Sequence, residues 1–447
     1  MFGGVGKAGW ATILVAGGLM LGTSVSAQAA DLGGDCCADL EERIAELEAT
    51  TARKGNRKVS LTISGYVDKA VMYWDDGGES NAYVVDNDFA QTRFWFTGKA
   101  TIATGWTAGY RIEIGLDNAS SDSVSQFQHN GAALGVFAGT GGAPSFFELR
   151  QSHWFIESED YGKVSVGLLS GAQDDMYKWG NVGKAYSDAE LHYNGRFFLK
   201  QGGVNNYTNL IWDNVANNLD NQRVNAVRYD TPKIFKVLVA TASWGEDDIW
   251  DVGVRFDHKF GSTENIHVKA GISYTDDNQA GLGNPPRDEP NDLVGSFGIS
   301  EAETGLYFYG AAGRREFDDQ PVAFTDEATY YYGQVGINRK LIDLGSTNFH
   351  VDYGRYDDWG AGTGFDIGQA ANIAAGVNPA GSTHTIVSSE VTRWGFGATQ
   401  NLKAAEMDIY AVFNHYEADI TATSGGVVAP LAIDDWWAAT AGGRINF

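Results

Sequence analysis

The sequence predicts an all-β protein, a 16-stranded antiparallel transmembrane β-barrel with short periplasmic turns, long extracellular loops and a short N-terminal helix. Three observations carry this. Hydrophobicity alternates with period two over almost the whole chain, the sign of strands with one apolar and one wet face. The composition has 57 Gly, only 8 Pro and 56 aromatics (13 Trp, 20 Tyr, 23 Phe) at a mean hydropathy of −0.25, which suits many short amphipathic strands. The connections alternate between tight and long, as in a barrel whose two ends meet different compartments.

The closing stretch shows the alternation best. Trp437, Ala439, Ala441, Gly443, Ile445 and Phe447 form an apolar face, and Arg444 and Asn446 lie on the other. Aromatics at both ends suit a strand running between two membrane interfaces. After the N-terminus no apolar run reaches the 18 residues of a transmembrane helix. The net charge of −25 opposes nucleic-acid binding, which needs a basic footprint.

Residues 1–29 read as a signal peptide: Lys7, an apolar stretch Trp10–Leu21, then Ala27-Gln28-Ala29. Removing Lys7 takes the charge from −25 to −26. Residues 30–57 form a periplasmic segment. It holds both cysteines, Cys36-Cys37, as free thiols, a strained vicinal bridge or an intermolecular one. The expected helix over Asp39–Thr51 has a Leu40/Ile44/Leu47 stripe too short to be stable alone, so a short oligomeric coiled coil is expected.

The barrel spans residues 58–447. In strand one, Val59, Leu61, Ile63, Val67 and Val71 share a face, with Ser60, Thr62, Ser64, Tyr66 and Asp68 opposite. Lys69 falls on the apolar face, which implies a bulge near Gly65 or a protein neighbour. Strand two (about Phe89–Ile102) points Arg93, Trp95, Thr97 and Lys99 inward. Strand three runs from Trp106, with Arg111 and Glu113 inward. Further strands are expected near 147–157, 163–169, 223–229, 235–244, 250–259, 266–275, 293–300, 306–314, 329–338, 348–356, 387–400 and 406–416. Thr104-Gly105, Thr231-Pro232-Lys233, Gly261-Ser262-Thr263 and Glu301–Thr304 are tight turns. The connections near 75–88, 118–146, 170–222, 276–292, 315–328, 357–386 and 417–434 are long and polar, and only Gly245–Ile249 is short on that side.

The stretch Cys36–Glu48 followed by Arg53–Gly65, together with Arg228-Tyr229-Asp230-Thr231-Pro232, Ala242–Asp247 and the Gly-Arg-Ile-Asn-Phe ending, resembles the alphaproteobacterial porin family. The resemblance implies an outer-membrane homotrimer, in contact with lipid and lipopolysaccharide, that passes small hydrophilic solutes and ions by diffusion. It also implies that the loop 170–222 folds inward and narrows the channel.

The expected site is then a constriction with opposed charges. Asp174, Asp175, Asp188 and Glu190 supply the acidic side, and Arg93, Arg111, Arg150 and Arg228 the basic side, with Tyr66 and Glu113 nearby. Parity leaves Arg150 ambiguous, because Trp154 and Ile156 share it, and Arg223 is the alternative to Arg228. Acidic pairs such as Asp75-Asp76 and Asp434-Asp435 fall at the extracellular rim. They are solvated loop acids, or they hold calcium or magnesium against lipid phosphates; no metal ligand set and no other cofactor is singled out. The eight histidines form no catalytic motif, so no enzyme is expected, and a substrate-specific channel is the alternative function.

Overall fold

Sixteen strands close into one antiparallel barrel. The computed structural model describes residues 58–116, 119–129, 147–190, 196–202, 206–219, 223–277, 290–317, 324–369 and 383–447. The signal peptide, the cysteine pair and the expected helix lie outside them. The strands are β1 (Thr62–Asp75), β2 (Arg93–Ala103), β3 (Trp106–Leu116), β4 (Phe147–Ser158), β5 (Gly162–Ser170), β6 (Arg223–Asp230), β7 (Leu238–Gly245) and β8 (Trp250–Phe260). They continue as β9 (Ile266–Asp276), β10 (Pro290–Glu301), β11 (Leu306–Phe317), β12 (Glu327–Ile342), β13 (Gly345–Asp357), β14 (His384–Leu402), β15 (Met407–Ser424) and β16 (Trp436–Asn446).

Each strand pairs with its sequence neighbours, and β16 pairs back onto β1, Asn446 opposite Tyr66 through Trp437 opposite Asp75. Gly65 and Phe447 complete the seam by exchanging both backbone hydrogen bonds, at 3.0 and 2.9 Å. Closure leaves no unpaired edge for lipid to meet. Both described ends of the chain lie at the end with the short turns. There Gly105 takes a φ of +75°, a left-handed conformation that costs a side-chain-bearing residue energy and glycine none.

The outward faces are apolar and exposed, as on β1 (Ile63, Val67, Val71) and β13 (Phe349, Val351, Tyr353). Lys69 does not mark a bulge, because β1 keeps one register against β16 and β2. Its ammonium lies 2.6 Å from the carboxylate of Asp86, so an ion pair within the chain accounts for it. Asp86 belongs to a short strand, Ser80–Asp86, that occupies the edge of β1 above β2. The sequence reading placed this segment in a loop and began strand two at Phe89; β2 begins at Arg93. Likewise β15 runs on to Ser424 and folds back through Val427–Ala432, where a loop over 417–434 was expected. The outer face turns polar at Glu417, where an apolar-band criterion ends the strand. Backbone pairing needs no apolar face, so the ladder continues.

Within the barrel lies the segment between β5 and β6. Its buried side chains (Met176, Tyr177, Tyr186, Phe197, Leu210 and Trp212 among them) pack against wall aromatics such as Tyr309, Tyr356 and Trp436. The wall carries glycines where the loop backbone touches it. A Cβ on Gly180 of the loop would stand 2.6 Å from the carbonyl carbon of Phe297, and one on Gly298 would overlap the Gly180 carbonyl oxygen. Two backbones meet here with no room for a side chain. Replacing Gly298 with Val should therefore push the loop off the wall while the barrel persists. Planar-bilayer recordings should show an altered single-channel conductance with unchanged far-UV circular dichroism; a wild-type conductance would refute the close approach.

Candidate functional site

The loop is held by a rail of donors from six strands of the wall that reach its backbone carbonyls. Arg228 on β6 donates to the carbonyls of Ser170 and Gly171 at 2.8 and 3.0 Å. Arg255 on β8 donates to Ala172 and Asp174, at 2.8 and 3.2 Å. Ser296 on β10 reaches Met176 at 2.6 Å, and Tyr309 on β11 reaches Tyr177 at 2.7 Å. Asn348 and Tyr356 on β13 reach Gly183 and Ala189, at 2.7 and 2.6 Å. Arg393 on β14 ends the series. It is fully buried, donates to the carbonyls of Asp188 and Glu190 at 2.7 and 3.0 Å, and pairs with Asp352 at 2.9 Å.

On the other side, β2, β3 and β4 build a cluster of arginines around Glu113, which is 2% exposed. Arg93 and Arg150 each approach it at 3.1 Å, and Arg111 is hydrogen-bonded to its second oxygen. Arg150 turns inward because it is the extra residue of a bulge: Glu113 faces Gln151 and Ile114 faces Leu149, so Arg150 has no opposite number. That shift in parity also lets Trp154 and Ile156 face outward further down the strand. Arg150 and Arg223 both approach Glu148, at 3.4 and 3.8 Å. Four arginines against two glutamates leave a net two positive charges on this wall. Tyr66 sits beneath, its hydroxyl donating to the Ala90 carbonyl at 2.7 Å and its ring 5.6 Å from the Arg93 guanidinium.

Between the wall and the loop lies a polar cavity of about 490 Å³. Arg93, Arg111, Arg150 and Arg223 line one side; Asp174, Asp175, Lys178 and Glu190 of the loop line the other, with Glu113 in the wall. Asp175, with a left-handed φ of +63°, lines this space. Its position inside the barrel works against its charge, but Lys178 at 2.6 Å, with Arg93 and Arg223 beyond, holds its carboxyl below the usual carboxylate range.

Eight of the ten residues picked from the sequence stand at or directly beside this gap. Arg228 does not: its guanidinium is bound to Asp230 and to the first carbonyls of the loop, and Arg223 at the upper end of β6 lines the cavity instead. Asp188 also lies elsewhere, against a second cavity of about 640 Å³ that Tyr186, Asn348 and Arg444 line. Its own carboxylate accepts the Glu190 amide at 3.0 Å. Sequence reasoning missed Glu148, Lys178, Arg196 and Asp213, which also line the first cavity, and Arg393. Glu148 was within reach, since it shares a strand face with Arg150; nothing local marks Arg393 as an anchor for a loop two hundred residues away.

The family model described as Gram-negative porin matches residues 11–421 of the chain. Comparison with curated proteins finds no match. Among solved structures the chain is similar to an anion-selective porin from Comamonas acidovorans (15% identity, 87% of this chain and 100% of that one, TM-score 0.52). It is also similar to OmpT, an outer membrane protein of Vibrio cholerae (12%, 88% and 99%, 0.50), and to the outer membrane channel DcaP of Acinetobacter baumannii (10%, 89% and 100%, 0.50).

Replacing Arg393 with Met takes the guanidinium away from Asp352, leaving it only His350 at 3.6 Å, and releases two loop carbonyls. Breaking a buried pair in this way costs about 3–5 kcal/mol. The strands carry the barrel independently, so the expected result is a folded protein with a noisier and larger conductance. Quiet, wild-type channels from this variant would show that the rail does not depend on Arg393.

Proposed function

The chain belongs to the Gram-negative porin family, and on that premise we propose that the gap between the β2–β4 arginines and the loop carboxylates is the eyelet that sorts solutes by charge. The protein is an outer-membrane porin, a channel for passive diffusion of small hydrophilic solutes and ions. The observation that carries the eyelet reading is the net segregation of charge across the polar cavity: Arg93, Arg111, Arg150 and Arg223 outnumber Glu113 and Glu148 on the strand wall, and Asp174, Asp175, Glu190 and Asp213 outnumber Lys178 and Arg196 on the loop. Low-dielectric walls focus the field across such a gap, so an ion passing it feels both sides strongly. Zwitterionic and dipolar solutes would be oriented by it, and bulky apolar ones excluded.

A substrate-specific channel is less well supported. It would spread its arginines along the permeation path, whereas three of these converge on Glu113. Assembly as a homotrimer, with lipopolysaccharide around it, is part of the same proposal. One of the similar structures is a trimer form of OmpT, an outer membrane protein of Vibrio cholerae. Lys69, neutralised by Asp86, gives this assembly no support of its own.

Reversal potentials in a salt gradient test the eyelet. Converting Asp174 and Asp175 to Asn should favour anions, and converting Arg93 and Arg111 to Gln should favour cations. Each change should move the permeability ratio by roughly two- to fivefold, the size of a partly screened charge interaction. If neither pair of substitutions moves the reversal potential, selectivity is set elsewhere.

A further inference from the structure

A row of outward-facing residues crosses β13 to β16 at one height: Tyr353 opposite Trp394, Trp394 opposite His415, His415 opposite Trp437. Such aromatics mark the boundary between the apolar band and the headgroups. His415 stacks on Trp394 with ring centroids 5.2 Å apart and planes at 21°. Its Nδ1 lies 3.5 Å from Glu417 and its Nε2 3.7 Å from Asp435. Nδ1 is shielded from solvent and has no hydrogen-bond partner.

Tyr416 pairs with Trp436 at the last step of the β15/β16 ladder; Glu417 follows that step, Asp435 precedes it, and both carboxylates approach the same imidazole. Like charges gathered at the end of an antiparallel pair weaken it. Asp419, on the same outer face two residues on, adds a third negative charge. Among the described residues no lysine or arginine pairs with any of the three. The nearest outward arginine along this row, Arg355, is taken by Asp357 and Glu390. One imidazole, whatever its protonation, cannot neutralise three carboxylates.

We propose that His415, Glu417 and Asp435 bind a divalent cation of the zinc type at the rim of the apolar band. One ligand atom from each lies within 4.8 Å of the others. Tetrahedral zinc holds ligand atoms about 3.4 Å apart, so side-chain movements of about 1 Å complete the set. The imidazole selects a borderline metal over calcium or magnesium, which take oxygen ligands. The acidic pair Asp434-Asp435 thus divides its work: Asp434 meets Lys200 at 2.6 Å inside, and Asp435 faces out. A bound cation relieves the gathered carboxylates and ties β15 to β16 beside the barrel seam. Three protein ligands leave a fourth coordination position open.

The test is calorimetric titration of zinc chloride into the untagged, detergent-solubilised protein in metal-free buffer. One zinc per chain should bind at micromolar affinity. His415→Ala and Asp435→Asn should each weaken it at least tenfold, and His267→Ala, in the lumenal pair His267–Asp257, should leave it unchanged. Should these variants assemble poorly, Glu417→Gln offers a conservative substitute, and the zinc-induced rise in the thermal midpoint of the unaltered protein is a second readout. Absence of stoichiometric binding, or binding that His415→Ala leaves intact, overturns the site. So does a preference for calcium or magnesium that depends on the carboxylates alone. Conductance reports on the eyelet and not on this outer face, so either reading can fail without the other.

Discussion

Backbone amides and carbonyls that face lipid have no water to bond to, so everything in this molecule depends on the ladder between its first and last strands. Gly65 and Phe447 complete that ladder at the short-turn end, and Trp437 meets Asp75 near the other. Only with the seam shut do sixteen strands of modest length have no edge. Their inner and outer faces then become two different solvents for the same backbone, which is why apolar and polar residues alternate so regularly along it.

Closure creates a second problem. Sixteen strands enclose more space than wall side chains can fill, and the chain answers it with its own longest loop. The loop has little regular structure, so its backbone carbonyls need donors. The wall supplies them as Arg, Ser, Tyr and Asn side chains from β6, β8, β10, β11, β13 and β14. Glycines at Gly180 and Gly298 let backbone lie on backbone. Across the gap, Arg93, Arg111 and Arg150 of β2 to β4, with Arg223 of β6, face the docked loop. Docking and charge separation are therefore one arrangement, and Arg228 shows the division: inward by parity, yet employed in holding the loop.

The outside of the barrel obeys a different balance. Apolar residues dominate up to the row of Tyr353, Trp394, His415 and Trp437, and charge begins one step above it. Arg355 has two acids to itself, whereas Glu417 and Asp435 share one imidazole. A surface that must sit among anionic headgroups gains from cations, and this cluster lacks them.

The sequence by itself determined the number of strands, their direction, the short and long ends and the inward orientation of Arg93, Arg111 and Glu113. Those features are local: parity is read from neighbours two residues apart, and turns from the residues within them. Tertiary structure alone decided what depends on partners far away in sequence. A single inserted residue opposite Glu113 and Ile114 turned Arg150 inward, and no periodicity marks such a bulge beforehand. The choice between Arg223 and Arg228 rested on where the loop's first carbonyls lie. The pairing of Lys69 with Asp86 came from a strand folded onto the edge of β1. Asp434 and Asp435 read as one acidic pair, and only the closed barrel shows one turned to Lys200 and the other to the outer face, because adjacent residues on a strand are neighbours in sequence but opposite in space.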